Sequence, residues 1–230
     1  VSPTITLSGV GLDTDTTTTP ATDFYIYDGT AKTPTVTLTE PDGTIPASEY
    51  TVAYRDNTNV GSATVTVTAK ADGNYAFTPG PVTKNFAIRK EKAQVTTAPD
   101  MAGDPLIFDN RARRLVTPGE GYGGTMVYSL DDLDMDGAGT YSETIPTATN
   151  AGDYTVYYKV AGDSNHSDSD VGSVTVTIAP KTVKDPTIEL FEADGTTPLV
   201  SYTYDGTAKE PKVLVKDGST LIAANEYNIV

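Results

Sequence analysis

Three observations predict an all-β chain organised as tandem sandwiches. Apolar residues alternate with threonine or another polar residue, Asp-Gly pairs punctuate the alternating runs, and one motif returns 177 residues after its first appearance. The alternation has the period of a strand that buries one face. Val36 and Leu38 lie between Thr35, Thr37 and Thr39, and Val65, Val67 and Ala69 lie between Thr64, Thr66 and Thr68. Val174, Val176 and Ile178 follow the same rule, as do Tyr154, Val156, Tyr158 and Val160, which leave Thr155, Tyr157 and Lys159 on the other face. No segment carries a helical apolar stripe longer than a turn or two. Asp28-Gly29, Asp42-Gly43, Asp72-Gly73, Asp194-Gly195, Asp205-Gly206 and Asp217-Gly218 supply the reversals between strands.

The returning motif is Tyr27-Asp28-Gly29-Thr30-Ala31-Lys32-Thr33-Pro34, repeated as Tyr204-Asp205-Gly206-Thr207-Ala208-Lys209-Glu210-Pro211. Its neighbours move with it: Pro3-Thr4-Ile5-Thr6-Leu7 matches Pro186-Thr187-Ile188-Glu189-Leu190, and Glu49-Tyr50 matches Glu226-Tyr227. A middle copy is marked by Asn59-Val60-Gly61 against Asn150-Ala151-Gly152 and by Asn74-Tyr75 against Asn165-His166. These matches place repeats at 1–90, 91–180 and 181–230. The third is partial, because it stops before the equivalents of the strands at 62–69 and 82–88. Its Ile188, Leu190, Val213, Val215 and Ile229 are expected to show an apolar face to water, which makes strand exchange through the incomplete repeat a route to a partner. Arg89-Lys90-Glu91-Lys92 and Ala179-Pro180-Lys181 read as the short links.

Composition narrows the function classes. Acidic residues number 31 against 16 basic ones, a net charge of −15 at pH 7, which repels phosphate backbones and anionic lipid. Nucleic-acid binding and membrane insertion are not expected, and no apolar run approaches the roughly 20 residues of a membrane span. There is no Cys and no Trp, so core burial alone must hold the domains together. Val1 opens directly on strand-like sequence without a charged and apolar leader, so the chain reads as a soluble fragment lacking targeting signals.

The YDGTAKxP motif resembles bacterial immunoglobulin-like surface repeats of the MBG/YDG type. So do Leu115-Val116-Thr117, Gly123-Gly124-Thr125, Tyr128-Ser129, Ile145-Pro146, Asn150-Ala151-Gly152 and Tyr157-Tyr158-Lys159-Val160 followed by Gly162-Asp163. The resemblance covers nearly the whole chain. It implies tandem immunoglobulin-like β-sandwich repeats in a secreted or cell-surface attached bacterial protein, acting as a stalk, spacer or adhesive unit toward a protein or glycan at the cell surface. The Cys and Trp that mark antibody-type sandwiches are missing, so nothing about that pairing transfers. No wall-sorting motif is present, and the family carries no common set of catalytic residues to map onto this chain. The alternative reading is a glycan-binding accessory module of a carbohydrate-active enzyme.

Candidate chemistry is sparse. His166 is the single histidine, there is no thiol, and no pair of carboxylates stands out, so no enzyme constellation is expected. His166 occupies the position of Tyr75 in the first repeat and reads as a loop residue. Asp132, Asp134, Asp136 and Glu143, with Gly137 at the turn, fit the D-x-D-x-D-G-x5-E spacing of a calcium loop and are the candidate metal ligands. Strand patterns flank them where an EF-hand has helices, so an acidic hairpin accounts for the same letters. Asp163, Asn165, Ser167, Asp168 and Asp170 form a second oxygen-rich run, read as solvated. Arg111, Arg113 and Arg114 form the one basic cluster and read as a solvated edge. Asn85, a possible isopeptide partner, has the wet-face parity beside Phe86 and Ile88. Asp13 to Pro20 reads as a flexible connection. Tyr25, Tyr27 and Tyr157 take the outward parity, where an aromatic ring either fills the strand surface or stacks on a sugar or partner.

Overall fold

The computed structural model describes residues 2–103, 105–130, 140–184 and 186–229, which form strands and two short 3-10 turns. Among them no helix is long and apolar enough to cross a membrane. The first part of the chain contributes β1 (Thr4–Ser8), β2 (Asp13–Asp15), β3 (Thr22–Ile26), β4 (Thr35–Glu40), β5 (Gly43–Ile45), β6 (Tyr50–Arg55), β7 (Gly61–Ala69) and β8 (Val82–Arg89). One sheet has the order β1-β4-β5 and a second the order β2-β3-β8-β7-β6. The strands other than the polar edge strand β2 turn apolar side chains inward, and the two sheets close on each other. Ile5, Leu7, Leu38 and Ile45 from the first meet Tyr25, Tyr50, Val65, Val67, Phe86 and Ile88 from the second in one buried cluster.

The linker opens with β9 (Glu91–Lys92) and leads into β10 (Gln94–Thr97), β11 (Leu106–Ile107), β12 (Arg113–Arg114), β13 (Glu120–Tyr122), β14 (Gly124–Ser129), β15 (Thr147–Ala148), β16 (Gly152–Gly162), β17 (His166–Ser167) and β18 (Gly172–Ala179). The main sheet here is β11-β18-β16-β14, with small pairs β10-β13, β12-β15 and β9-β17. Leu115, Val116, Tyr128, Val156, Val176 and Ile178 make a second, separate core. Part of the geometry matches the first part, with β11-β18-β16-β14 in the order of β3-β8-β7-β6. The antiparallel hairpin β7-β8 pairs Gly61 with Ile88 and Val65 with Lys84, while β16-β18 pairs Gly152 with Ile178 and Val156 with Val174. In both sheets an early strand runs parallel to the last one, β3 beside β8 and β11 beside β18. The exit is the same as well, with Tyr27 N donating to Arg89 O and Phe108 N to Ala179 O, each at 2.9 Å.

The last part is a single three-stranded sheet of β19 (Thr187–Phe191), β20 (Lys212–Asp217) and β21 (Thr220–Leu221). It keeps the register of β1-β4: Ile5 pairs with Leu38 and Leu7 with Val36, Ile188 with Val215 and Leu190 with Val213. Even the tyrosine after the 3-10 turn is retained, since Tyr50 Oη donates to Val36 O and Tyr227 Oη to Val213 O, both at 3.0 Å. No second sheet covers it among the described residues. Ile5 and Leu7 are buried, whereas Ile188 is 64% exposed and Leu190 42%.

Two sequence expectations are corrected by the pairing. Tyr25 does not face outward. Because β3 runs parallel to β8 with Tyr25 opposite Ile88, the ring shares the inward face of Ile88 and packs edge-on against Phe86 at 5.8 Å. Tyr25 is 6% exposed, and it is Ile26 that faces solvent at 48%. The Asp13–Pro20 connection is also more ordered than a free loop. Asp13–Asp15 pairs with β3, and Asp15 accepts from Thr17 and bonds the Arg89 guanidinium at 2.5 Å, which together hold its carboxyl at about 2.

The two matched sheets make an internal control for burial energetics. Leu38→Ala, in the closed first core, should cost about 2–5 kcal/mol of unfolding free energy. Val215→Ala, at the matching position of the uncovered sheet, should cost less than about 1 kcal/mol. Denaturant unfolding of the two variants against the parent chain measures both.

Candidate functional site

Two local devices carry the polar side chains of this chain. The first is the turn written Tyr27-Asp28-Gly29-Thr30-Ala31-Lys32. Gly29 sits at φ +77°, in the left-handed region where a Cβ is disfavoured, and this reverses the chain after β3. Asp28 then accepts from Thr30 N at 2.9 Å and Thr30 Oγ1 at 2.6 Å, an Asx turn closed by its own side chain. Lys32 Nζ bonds the other carboxylate oxygen at 2.5 Å and lies 5.6 Å from the centre of the Tyr25 ring. Lys32 is 8% exposed, and its backbone is sealed by Asn57, whose O accepts Lys32 N and whose Nδ2 donates to Lys32 O. The lysine hydrogen bond, with those of Thr30, holds the Asp28 carboxyl well below the usual carboxylate range.

The structure finds this turn three times. At Asp205-Gly206-Thr207-Ala208-Lys209 the same bonds recur, with Gly206 at φ +81° and the lysine and threonine bonds holding Asp205 at about 2. The middle version is Phe108-Asp109-Asn110-Arg111-Ala112-Arg113. Asn110 fills the left-handed position at φ +61°, Asp109 accepts from Arg111 N, and Arg113 takes the place of the lysine on Asp109. Comparison of letters misses this copy. Comparison of chemistry finds it, because Asn is the residue that best replaces Gly at positive φ and Arg keeps the cation. The basic cluster is therefore in part a turn element, with Arg114 paired opposite Thr147 on an exposed edge.

The second device is the junction between the two closed cores, centred on His166. Expected from sequence as a loop residue, it lies instead in the short strand β17. It is 5% exposed, because the linker strand β9 pairs in parallel with β17, setting His166 opposite Glu91 and Ser167 opposite Lys92. The ring is met edge-on by Tyr27 at 5.3 Å and by Tyr122 at 5.1 Å. Its Nδ1 lies 2.7 Å from Asp163 Oδ1, which also accepts the backbone N–H groups of Asn165 and His166. Those bonds, the imidazole's first, lower the Asp163 pKa. Gly123, at φ +84°, gives the ring its space: a Cβ there would lie 2.7 Å from the imidazole.

Backbone bonds complete the joint. Glu91 N donates to Asn165 O at 3.2 Å and Ala93 N to Ser167 O at 2.9 Å, while Lys90 Nζ donates to the carbonyls of Asp163 and His166. Asn165 reaches across to the first core's loops, with its Oδ1 accepting Val60 N at 3.0 Å and its Nδ2 donating to Asn59 Oδ1 at 3.3 Å. The second oxygen-rich run is thus used rather than merely solvated. Asp168 accepts Gly162 N and pairs with Lys159, and Asp170 pairs with Lys92.

The remaining sequence candidates resolve differently. Asp132, Asp134, Asp136 and Gly137 lie outside the described residues, and Glu143 is exposed. Among the described residues no three His, Cys, Asp or Glu side chains gather as a metal site. Asn85 is exposed on the wet face and accepts from Thr64 Oγ1 at 3.1 Å. Of the three tyrosines expected to face outward, Tyr25 is in the core, Tyr27 is spent on His166, and Tyr157 is half-buried.

Set against family models, curated proteins and solved structures, the chain matches none of them.

Two outcomes are expected of these devices. The lowered Asp28 pKa makes its turn a source of stability that is present above the ordinary carboxylate value of about 3.9 and lost as pH falls through the lower folded value. Asp28→Asn should therefore flatten the acid limb of melting temperature against pH, while also destabilising the protein near neutrality by stranding the Lys32 ammonium. Gly123→Ala should cost about 1–3 kcal/mol through backbone strain alone and displace His166, read as a lower melting temperature and faster amide exchange at Asn165–Ser167.

Proposed function

We propose that this chain is a non-enzymatic run of immunoglobulin-like sandwich modules, at 1–90, 91–180 and a partial 181–230, from an extracellular bacterial surface protein in which the modules act as a spacer or adhesive stalk. The observation that carries the reading is the junction at His166. A spacer must transmit direction from one module to the next. Here the linker is not a free tether: Glu91 and Lys92 are strand-paired to His166 and Ser167, and Asn165 bonds back to Asn59 and Val60. The matching sheet orders and the thrice-built Asp-Lys or Asp-Arg turn support a repeated module. The YDGTAKxP resemblance supplies the bacterial surface context.

The chemistry of the one imidazole supports a structural role. Its ring nitrogens face Asp163 and Glu91, two carboxylates, so a serine- or threonine-activating arrangement is not what surrounds it. The tyrosines at 25, 27 and 157 do not line up as an outward aromatic row of the kind that a sugar-stacking platform requires.

Force-extension of the full chain tests this. Two discrete unfolding events are expected, each releasing about 300 Å, the extended length of roughly 90 residues. One cooperative event spanning both cores, or turnover of a glycan or ester substrate abolished by His166→Ala, would overturn the reading.

A further inference from the structure

We propose that the His166 junction is a proton-sensitive clamp: uptake of one proton by the buried imidazole adds a hydrogen bond to Glu91 across the linker and stiffens the joint in mildly acidic surroundings. The inference deepens the spacer reading and rests on it.

The geometry sets up an unsatisfied atom in a particular place. Asp163 Oδ1 already accepts two backbone N–H groups, so at 2.7 Å it accepts a third hydrogen bond, from the imidazole, and Nδ1 is the donor. The neutral ring then carries its lone pair on Nε2. That atom is buried, has no hydrogen-bond partner, and faces Glu91 Oε2 at 3.5 Å. Two acceptors therefore look at each other across the joint, an arrangement that costs free energy in a site shielded from water. A proton on Nε2 turns the same pair into a charge-assisted hydrogen bond. It ties the linker strand to the second core through a side chain as well as through backbone.

Every charged or titratable group around the ring bears on the sign. Asp163 and Glu91 favour the imidazolium. Lys90 opposes it, since its ammonium lies on the carbonyl of His166, and so does burial. Tyr27 and Tyr122 are uncharged neighbours, and Tyr122 Oη also approaches Glu91 Oε2, at 3.5 Å, with the glutamate charge raising the Tyr122 pKa further above the working range. Asp163, lowered by its bond to the imidazole, stays ionised throughout the interval in which imidazoles change charge, about pH 8 to about pH 5. The added bond exists only while Nε2 carries a proton, so its contribution belongs to the acid side and is lost as pH rises.

The absence of cysteine allows a clean measurement on the full chain. Spin labels on cysteines placed at Thr51 and Thr175, exposed strand positions on either side of the joint, report the distribution of distances between the two cores. The single histidine gives one imidazole resonance to titrate in parallel. The distance distribution is expected to narrow from pH 8 to pH 5 with the midpoint of the imidazole titration. Glu91→Gln should lose the narrowing. His166→Phe, which keeps a ring between Tyr27 and Tyr122, should lose it as well. A width that stays constant while the imidazole titrates, or a pH response retained in both variants, would overturn the clamp and leave the spacer standing. Failure of the spacer itself would instead appear as a single unfolding event under force, whatever the pH.

Discussion

A strand whose side chains alternate apolar and polar has no stable existence until a second sheet covers its apolar face, and nearly everything in this molecule follows from meeting or failing to meet that requirement. The chain has no cysteine and no tryptophan, and among the described residues no long helix, with which to build a core any other way. In the first part the cover is complete: the β-branched Val65 and Val67, with Leu38 and Phe86, are essentially removed from water. The last part keeps the register and the tyrosine bond of the first while its apolar face stays open. Local strand pairing and cross-sheet burial are thus separable here, and the same sequence pattern is seen in both conditions.

Close packing of two sheets leaves the connections to satisfy their own polar atoms, and the Asp-Lys turn does this with one carboxylate. Its first oxygen satisfies the donors of the threonine, and its second neutralises an ammonium that has been drawn over a core tyrosine. A cation enters the margin of an apolar core only with such a partner, because desolvating it alone is prohibitive. That requirement accounts for the aspartate four residues before Lys32, and the exposed Arg113 keeps the same spacing to Asp109. The residue directly after the aspartate is Gly or Asn, the types that tolerate the positive φ the turn needs.

The junction uses the same means for a different end. A two-residue parallel strand pair is weak by itself, so the joint is reinforced by Asn165 reaching to Asn59 and Val60, by Lys90 on two carbonyls, and by an imidazole wedged between two tyrosines. Gly123 is the concession that makes the wedge fit. Of these members, the imidazole alone leaves a buried nitrogen without a hydrogen-bond partner, at the centre of the joint.

Strand alternation, the Asp-Gly reversals and the long-range return of the YDGTAK motif were written in the sequence because each depends on residues close in the chain. Period two sorts faces, aspartate closes its own turn, and glycine frees φ. Sequence also placed Asn85 on the wet face and put Val65, Val67, Val156 and Val176 inward, since those strands lie within hairpins whose parity is continuous. Tyr25 defeated the same reasoning because its facing is set by a parallel neighbour, Ile88, more than sixty residues away, and two-residue periodicity in a short strand does not say which of its faces that neighbour will claim. His166 looked like an ordinary loop residue for a similar reason. Its burial is created by Glu91, Tyr27 and Tyr122, three segments that meet only after both cores have formed, and no local pattern encodes a contact that tertiary packing alone assembles.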